Sequence, residues 1–254
     1  LEKDFAWISP PYIEMVRWGH AYRTSGDAKW ARAIVAVHNR FYHWCRPPAG
    51  KIGQGASKVF SMWRPLTCGA GTPSLIEAYA LIRDYPGLTE QDARCFLKGM
   101  AERAQFLRYT TQPVGPWPKF NPFGYGNWLL YQLQGLLAIA AAFPEMAGAA
   151  EWREHAWKGI ETHAAWTVFP DGGFAEDSYA YAAQVAGQLQ WCYQMALRYQ
   201  IPFSAAFVQD VRRLHTLFLK TATTANLRLP FGDTARGDGV TPQFARWAAL
   251  AFLD

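Results

Sequence analysis

The sequence predicts an all-α fold built from antiparallel helical hairpins that close into an α/α toroid. Three observations predict it. Apolar residues recur at three-to-four spacing along nearly the whole chain, and no period-two run reads as a strand. Helical segments alternate with connections, the rhythm of hairpins packed side by side. No tetratricopeptide or ankyrin repeat is visible, which favours a toroid over an open solenoid. The 254 residues suit a single domain spanning 1–254.

The elements follow in order. Tyr12 to Arg23 carries Ile13, Val16, Ala21 and Tyr22 on a helical pattern, with Gly26 as its stop. Asp27 caps a second helix that runs to about Trp44 through Trp30, Ile34, Val37 and Phe41, before Pro47-Pro48 ends it. Gly50 to Gly71 is Gly/Ser-rich and reads as a long loop, followed by a helix over Pro73 to Tyr85. Thr89 and Asp92 form a capping box for a helix through Tyr109. Thr110 to Gly126 holds four prolines and three glycines and reads as an irregular, functional loop. Helices are then expected over Asn127 to Phe143, Gly148 to Thr167 and Ala175 to Tyr199, with Pro170-Asp171-Gly172-Gly173 as a turn. Ser204 caps the next helix, whose stripe is Val208, Val211, Leu214 and Phe218. Leu229 to Gly239 reads as a loop, and a last helix begins near Thr241.

Composition narrows the function. Half of the residues are apolar and only 18% are charged, so material for a core is ample. The 12 Trp, 12 Tyr and 16 Phe are divided between core and sugar-binding surface in a ratio that composition leaves open. A formal charge of +5 favours an anionic partner. There is no Lys/Arg run, zinc-finger spacing or helix-turn-helix signature, so nucleic acid is not expected. Cys45, Cys68, Cys95 and Cys192 form no CxxC pair and read as buried or free thiols, with two disulfides as the alternative. The six His show no metal-ligand spacing, and no cofactor is expected. Leu129 to Phe143, the longest apolar stretch, contains Gln132 and Gln134 and is short for a bilayer, so no membrane association is expected. Both ends read as cut from a longer protein, since the chain starts without Met and finishes on a helical pattern.

Six segments read together. Trp18 to Asp27 is similar to an AY-x-x-TGD turn, and Trp63-Arg64-Pro65-Leu66 to the Trp segment that follows it. Gly126 to Gln132 resembles an Asn-Trp or Asn-His helix opening, and Phe143-Pro144-Glu145 the FPE that closes that helix. Asp171-Gly172 with Glu176 to Tyr181 resembles DG-x-x-x-E-x-S-x-x-Y, and Gly232-Asp233-Thr234 a late GD-[ST] turn. In this order they resemble the N-terminal half of heparinase II/III-type polysaccharide lyases. The resemblance implies an incomplete α/α toroid followed by β-sandwich domains, an acidic polysaccharide as partner, and a periplasmic or secreted location.

It also implies β-elimination on a uronate-containing polysaccharide. The C5 proton is hard to remove while the neighbouring carboxylate is fully anionic, so an enzyme must stabilise charge there and place a base and an acid. Asn127 is the expected neutraliser, since its amide can donate to a carboxylate at a helix N-terminus that itself favours anions. A plain N-cap is the alternative. Tyr181 is the expected base, acid or both. It shares a helix face with Gln184 and Gln188, and solvated surface is the alternative there. Trp128 replaces the His of the alginate-lyase-like branch and can stack on sugar or join the core. Gln132 stands where many members carry Glu. Arg64, Lys119 and Arg228 are candidate contacts for carboxylate or sulfate, with a solvated surface charge as the favoured alternative for each. Trp117, Phe120, Phe123 and Tyr125 would furnish a sugar subsite or equally pack their own loop, and Glu176 would be a substrate contact. A further catalytic His is expected from the β-sandwich part.

Two other classes stay open. One is an α/α-barrel glycoside hydrolase drawing its acid and base from Asp171, Glu176, Asp177 or Asp233, of which Glu176 and Asp233 equally read as capping or core-polar residues. The other is a non-catalytic glycan-binding scaffold.

Overall fold

In the computed structural model, residues 12–44, 63–112, 126–176 and 178–221 are described. They form eight helices: α1 (Tyr12–Ser25), α2 (Ala28–Trp44), α3 (Pro65–Ile82), α4 (Glu90–Thr110), α5 (Gly126–Ala142), α6 (Ala149–Thr167), α7 (Tyr179–Arg198) and α8 (Ala205–Thr221). The only extended pairing among the described residues is an isolated antiparallel bridge between Val168 and Phe174.

The chain divides into two compact units, residues 1–124 with 131–156, and 125–130 with 157–254. In the first, α1 packs on α2 and α3, and α4 on α2 and α3. Tyr79 stacks on Phe96 at 3.7 Å between centroids, and Phe96 meets Phe143 edge-on. The Thr89 hydroxyl accepts the Asp92 N–H while the Asp92 carboxylate accepts the Thr89 N–H, closing the expected capping box. In the second unit α7 packs on α8. Trp157 of α6 meets Phe207 of α8 edge-on at 5.2 Å, and Tyr179 meets Phe218 at 4.9 Å. Burying a ring of this size contributes about 2–3 kcal/mol.

Two expected boundaries are corrected. The stretch read as loop up to Gly71 is helical from Pro65, so Pro73 lies inside α3. Gly69 and Gly71, at the end of that stretch, serve close packing instead. A Cβ on Gly69 would stand 2.4 Å from the Tyr131 carbonyl oxygen, and one on Gly135 2.6 Å from that of Gly69. Only Gly lets the α3 and α5 backbones approach so closely. The helix expected from Ala175 begins four residues later, because Ser178 takes extended backbone and caps α7 through the Tyr181 N–H. The Asp27 and Ser204 caps hold: Asp27 accepts the Lys29 N–H at 2.9 Å and Ser204 the Phe207 N–H at 3.1 Å. The loop over Leu229 to Gly239 and the helix from Thr241 lie outside the described residues. Cys68, Cys95 and Cys192 are free thiols. No described helix is long and apolar enough to cross a membrane.

Candidate active site

The second unit contains the start of α5, the end of α6 and the start of α7. Gly126 opens α5 at φ +65°, a conformation that disfavours side chains. The space where its Cβ would stand is filled by Glu176, whose Oε1 would lie 1.3 Å away. Glu176 Oε1 accepts the backbone N–H of Asn127 at 2.7 Å. A carboxylate therefore already occupies the helix N-terminus, where the dipole and free N–H groups favour negative charge. Glu176 is half-buried. Burial raises its carboxyl pKa, and the Asn127 N–H offsets part of that rise.

Asn127 itself is 6% exposed. Its Nδ2 donates to Gln184 Oε1 at 3.4 Å, a long bond that ties the amide to α7. A primary amide has two N–H groups, so one engaged here leaves a second donor. Gln184 is exposed, and Tyr181, half-buried, lies one turn before it on the same face. Gln188, one turn after it, is buried, and neither of its amide atoms has a hydrogen-bond partner.

His163 of α6 sits beneath α5. Its Nε2 lies 2.8 Å from the Gly126 carbonyl. Burial pushes its pKa down from 6.5 to about 4, so the ring is neutral at pH 7 and Nε2–H donates to that carbonyl. Glu176 and His163 thus hold the N–H of Asn127 and the carbonyl of Gly126 from two sides. The sequence reading missed His163, which stands 37 residues from Gly126 with no local pattern linking them. Tyr179 is set apart from Tyr181: its hydroxyl bonds to that of Thr221 at 2.8 Å and its ring is core.

Among the other expected residues, Trp128 is half-buried on the first turn of α5. Arg64 is the N-cap residue of α3 in the first unit. Asp171, a hydrolase candidate, accepts the Gly173 N–H within its own turn at 2.9 Å. Trp117, Lys119, Phe120, Phe123, Tyr125, Asp177, Arg228 and Asp233 lie outside the described residues. No group of three or more His, Cys, Asp or Glu able to hold a metal occurs among the described residues.

No curated protein matches the chain significantly. Solved structures do. The structure titled heparinase III superposes with a TM-score of 0.72 at 19% identity, over 84% of this chain and 30% of that one. The heparan sulfate lyase HepC from Pedobacter heparinus gives a TM-score of 0.60 at 24% identity, over 81% of this chain and 30% of that one. A heparinase III gene product with methylated lysines gives 0.61 at 20% identity, over 80% of this chain and 32% of that one. The chain thus spans about a third of the length of these structures. At such identities the likeness establishes the fold, the all-α, incomplete-toroid class expected from the sequence. The family model described as the heparinase II/III N-terminus matches residues 14–252, and the chain belongs to that family.

Proposed function

We propose that the chain is the helical part of a polysaccharide lyase that cleaves a uronate-containing acidic polysaccharide by β-elimination. Membership of the heparinase II/III family supports the class. Solved structures of the same fold are titled heparinase III and heparan sulfate lyase, which makes a glycosaminoglycan the first substrate to try. The observation that carries the site assignment is the Asn127 amide, fixed on the first turn of α5 and tied to Gln184 on the face of α7 that bears Tyr181.

In this reading the Asn127 side-chain amide donates to the uronate carboxylate, stabilising charge as C5 loses its proton. The backbone N–H of Asn127 takes no part, because Glu176 holds it. Glu176 is then a positioning residue and not a substrate contact. Tyr181 takes the C5 proton, or delivers one to the leaving O4, as the C4–O4 bond breaks and a C4–C5 double bond forms. Gln184 sets the amide of Asn127 and borders the substrate. Trp128 supplies a ring for stacking on sugar, a role that the sequence also assigns to Trp117 and Tyr125, as it assigns Arg64, Lys119 and Arg228 to anionic groups of the polymer. A β-sandwich part of the same protein contributes a further His. Such an enzyme meets its polymer in the periplasm or outside the cell.

The test is ultraviolet absorbance of unsaturated uronate with the full-length protein on heparan sulfate, heparin, alginate, hyaluronan and chondroitin sulfate. Absorbance on any of them supports elimination. New reducing ends without absorbance would mark a hydrolase, and neither signal would favour a binding scaffold.

A further inference from the structure

The second unit carries a groove of about 730 Å³ that includes none of Asn127, Tyr181 and Gln184. It is lined by the exposed face of α8, by Pro170 and Asp171 of the 170–173 turn, and by Phe203. Arg212, Thr216 and Lys220 line it at successive turns, which places the two cations about 12 Å apart along the helix. Arg213 lines it as well and is anchored by Asp210 at 2.9 Å. Asp171 is the one carboxylate among the described lining residues, and its Oδ1 is engaged by the Gly173 N–H.

The walls are built, not draped. Gly172 has φ +90°, and a Cβ there would stand 2.3 Å from the Arg213 carbonyl oxygen. The turn is therefore seated directly on the α8 backbone, and only Gly permits it. Phe203 is held edge-on by Tyr193 at 5.2 Å. Phe169, 44% exposed, immediately precedes the turn, and Trp166, 57% exposed, lies one helical turn earlier. Phe203 in the lining and the exposed Phe169 next to Pro170, together with two cations about 12 Å apart, match a polymer that presents anionic groups at intervals and apolar sugar faces between them.

We propose that this groove is a second binding site, for a stretch of anionic polysaccharide away from the scissile bond. The identity of the polymer rests on the lyase reading above; the groove does not depend on cleavage. The test measures binding of the full-length protein to immobilised heparan sulfate, in the Tyr181→Phe background so that the polymer stays intact. The double variant Arg212→Gln/Lys220→Gln should weaken binding about tenfold and flatten its salt dependence, as expected when two cations are removed from a polyanion site. Arg153→Gln/Arg198→Gln, which neutralises two other exposed cations, should weaken it less than about twofold. In the parent background the groove variant should raise KM for long chains and leave KM for a tetrasaccharide unchanged. Equal losses in both double variants, or none in the groove variant, would overturn the proposal. So would displacement by single-stranded DNA as efficient as by heparan sulfate. Failure of the lyase reading would leave the binding result intact, since no cleavage enters it.

Discussion

Glu176 and Asn127 stand 49 residues apart in sequence and meet at 2.7 Å, with the carboxylate of one capping the N-terminus of α5, on whose first turn the other sits. This contact fixes where the Asn127 side chain starts. Glu176→Ala should cost about 1–2 kcal/mol in stability, the usual loss for a helix cap or a charge-assisted hydrogen bond. Urea denaturation checks it. Activity should fall further than stability explains, because the freed turn no longer holds the amide.

The same carboxyl has a pH signature. Its folded pKa is raised by burial, so its contribution is greatest at low pH and is lost as pH rises through the raised value. Glu176→Gln cannot titrate and should remove that decline. Urea midpoints of parent and variant across the carboxylate range would converge or diverge accordingly.

His163 titrates with the opposite sign. Its pKa falls to about 4 in the fold against 6.5 outside it. The unfolded chain therefore binds the extra proton first, and stability declines as pH drops from about 6.5 to about 4, by roughly 3 kcal/mol from this group. His38 and His155, also near 4, add to the slope. His163→Gln can still donate to the Gly126 carbonyl, so it should flatten the slope in proportion while retaining most activity at pH 7.

Gly126→Ala tests the geometry most severely. The position needs φ +65°, and the new methyl would meet the Glu176 carboxylate. A loss of about 2 kcal/mol or more is expected, with kcat falling as Asn127 shifts. Thermal denaturation and kinetics on the same preparation separate the two effects.

Much of this was legible in the chain because the signals are local. The capping box at Thr89, the caps at Asp27 and Ser204, and the 170–173 turn each need only a few neighbouring residues. What escaped depends on distant partners. Gly69 and Gly71 look like loop residues until Tyr131 and Tyr12 are seen against them. Ala175 continues a helical pattern until the Ser178 cap starts α7 later. The motif residues Asn127, Glu176 and Tyr181 could be picked out, but not the division of labour that puts Glu176 on the backbone of Asn127. Nothing near His163 announces its bond to Gly126.

The measurement that bears most directly on the central reading compares two tyrosines and one asparagine by unsaturated-uronate absorbance in the full-length protein. Tyr179→Phe loses a part-buried hydroxyl bond to Thr221 and should cost about 1 kcal/mol of stability while cleavage persists. Tyr181→Phe and Asn127→Ala should leave the protein folded and lower kcat by roughly 100-fold or more, the usual scale for a general base or a charge-stabilising donor. Cleavage that survives both substitutions, in protein shown to be folded, would contradict the assignment of Tyr181 and Asn127 to the reaction.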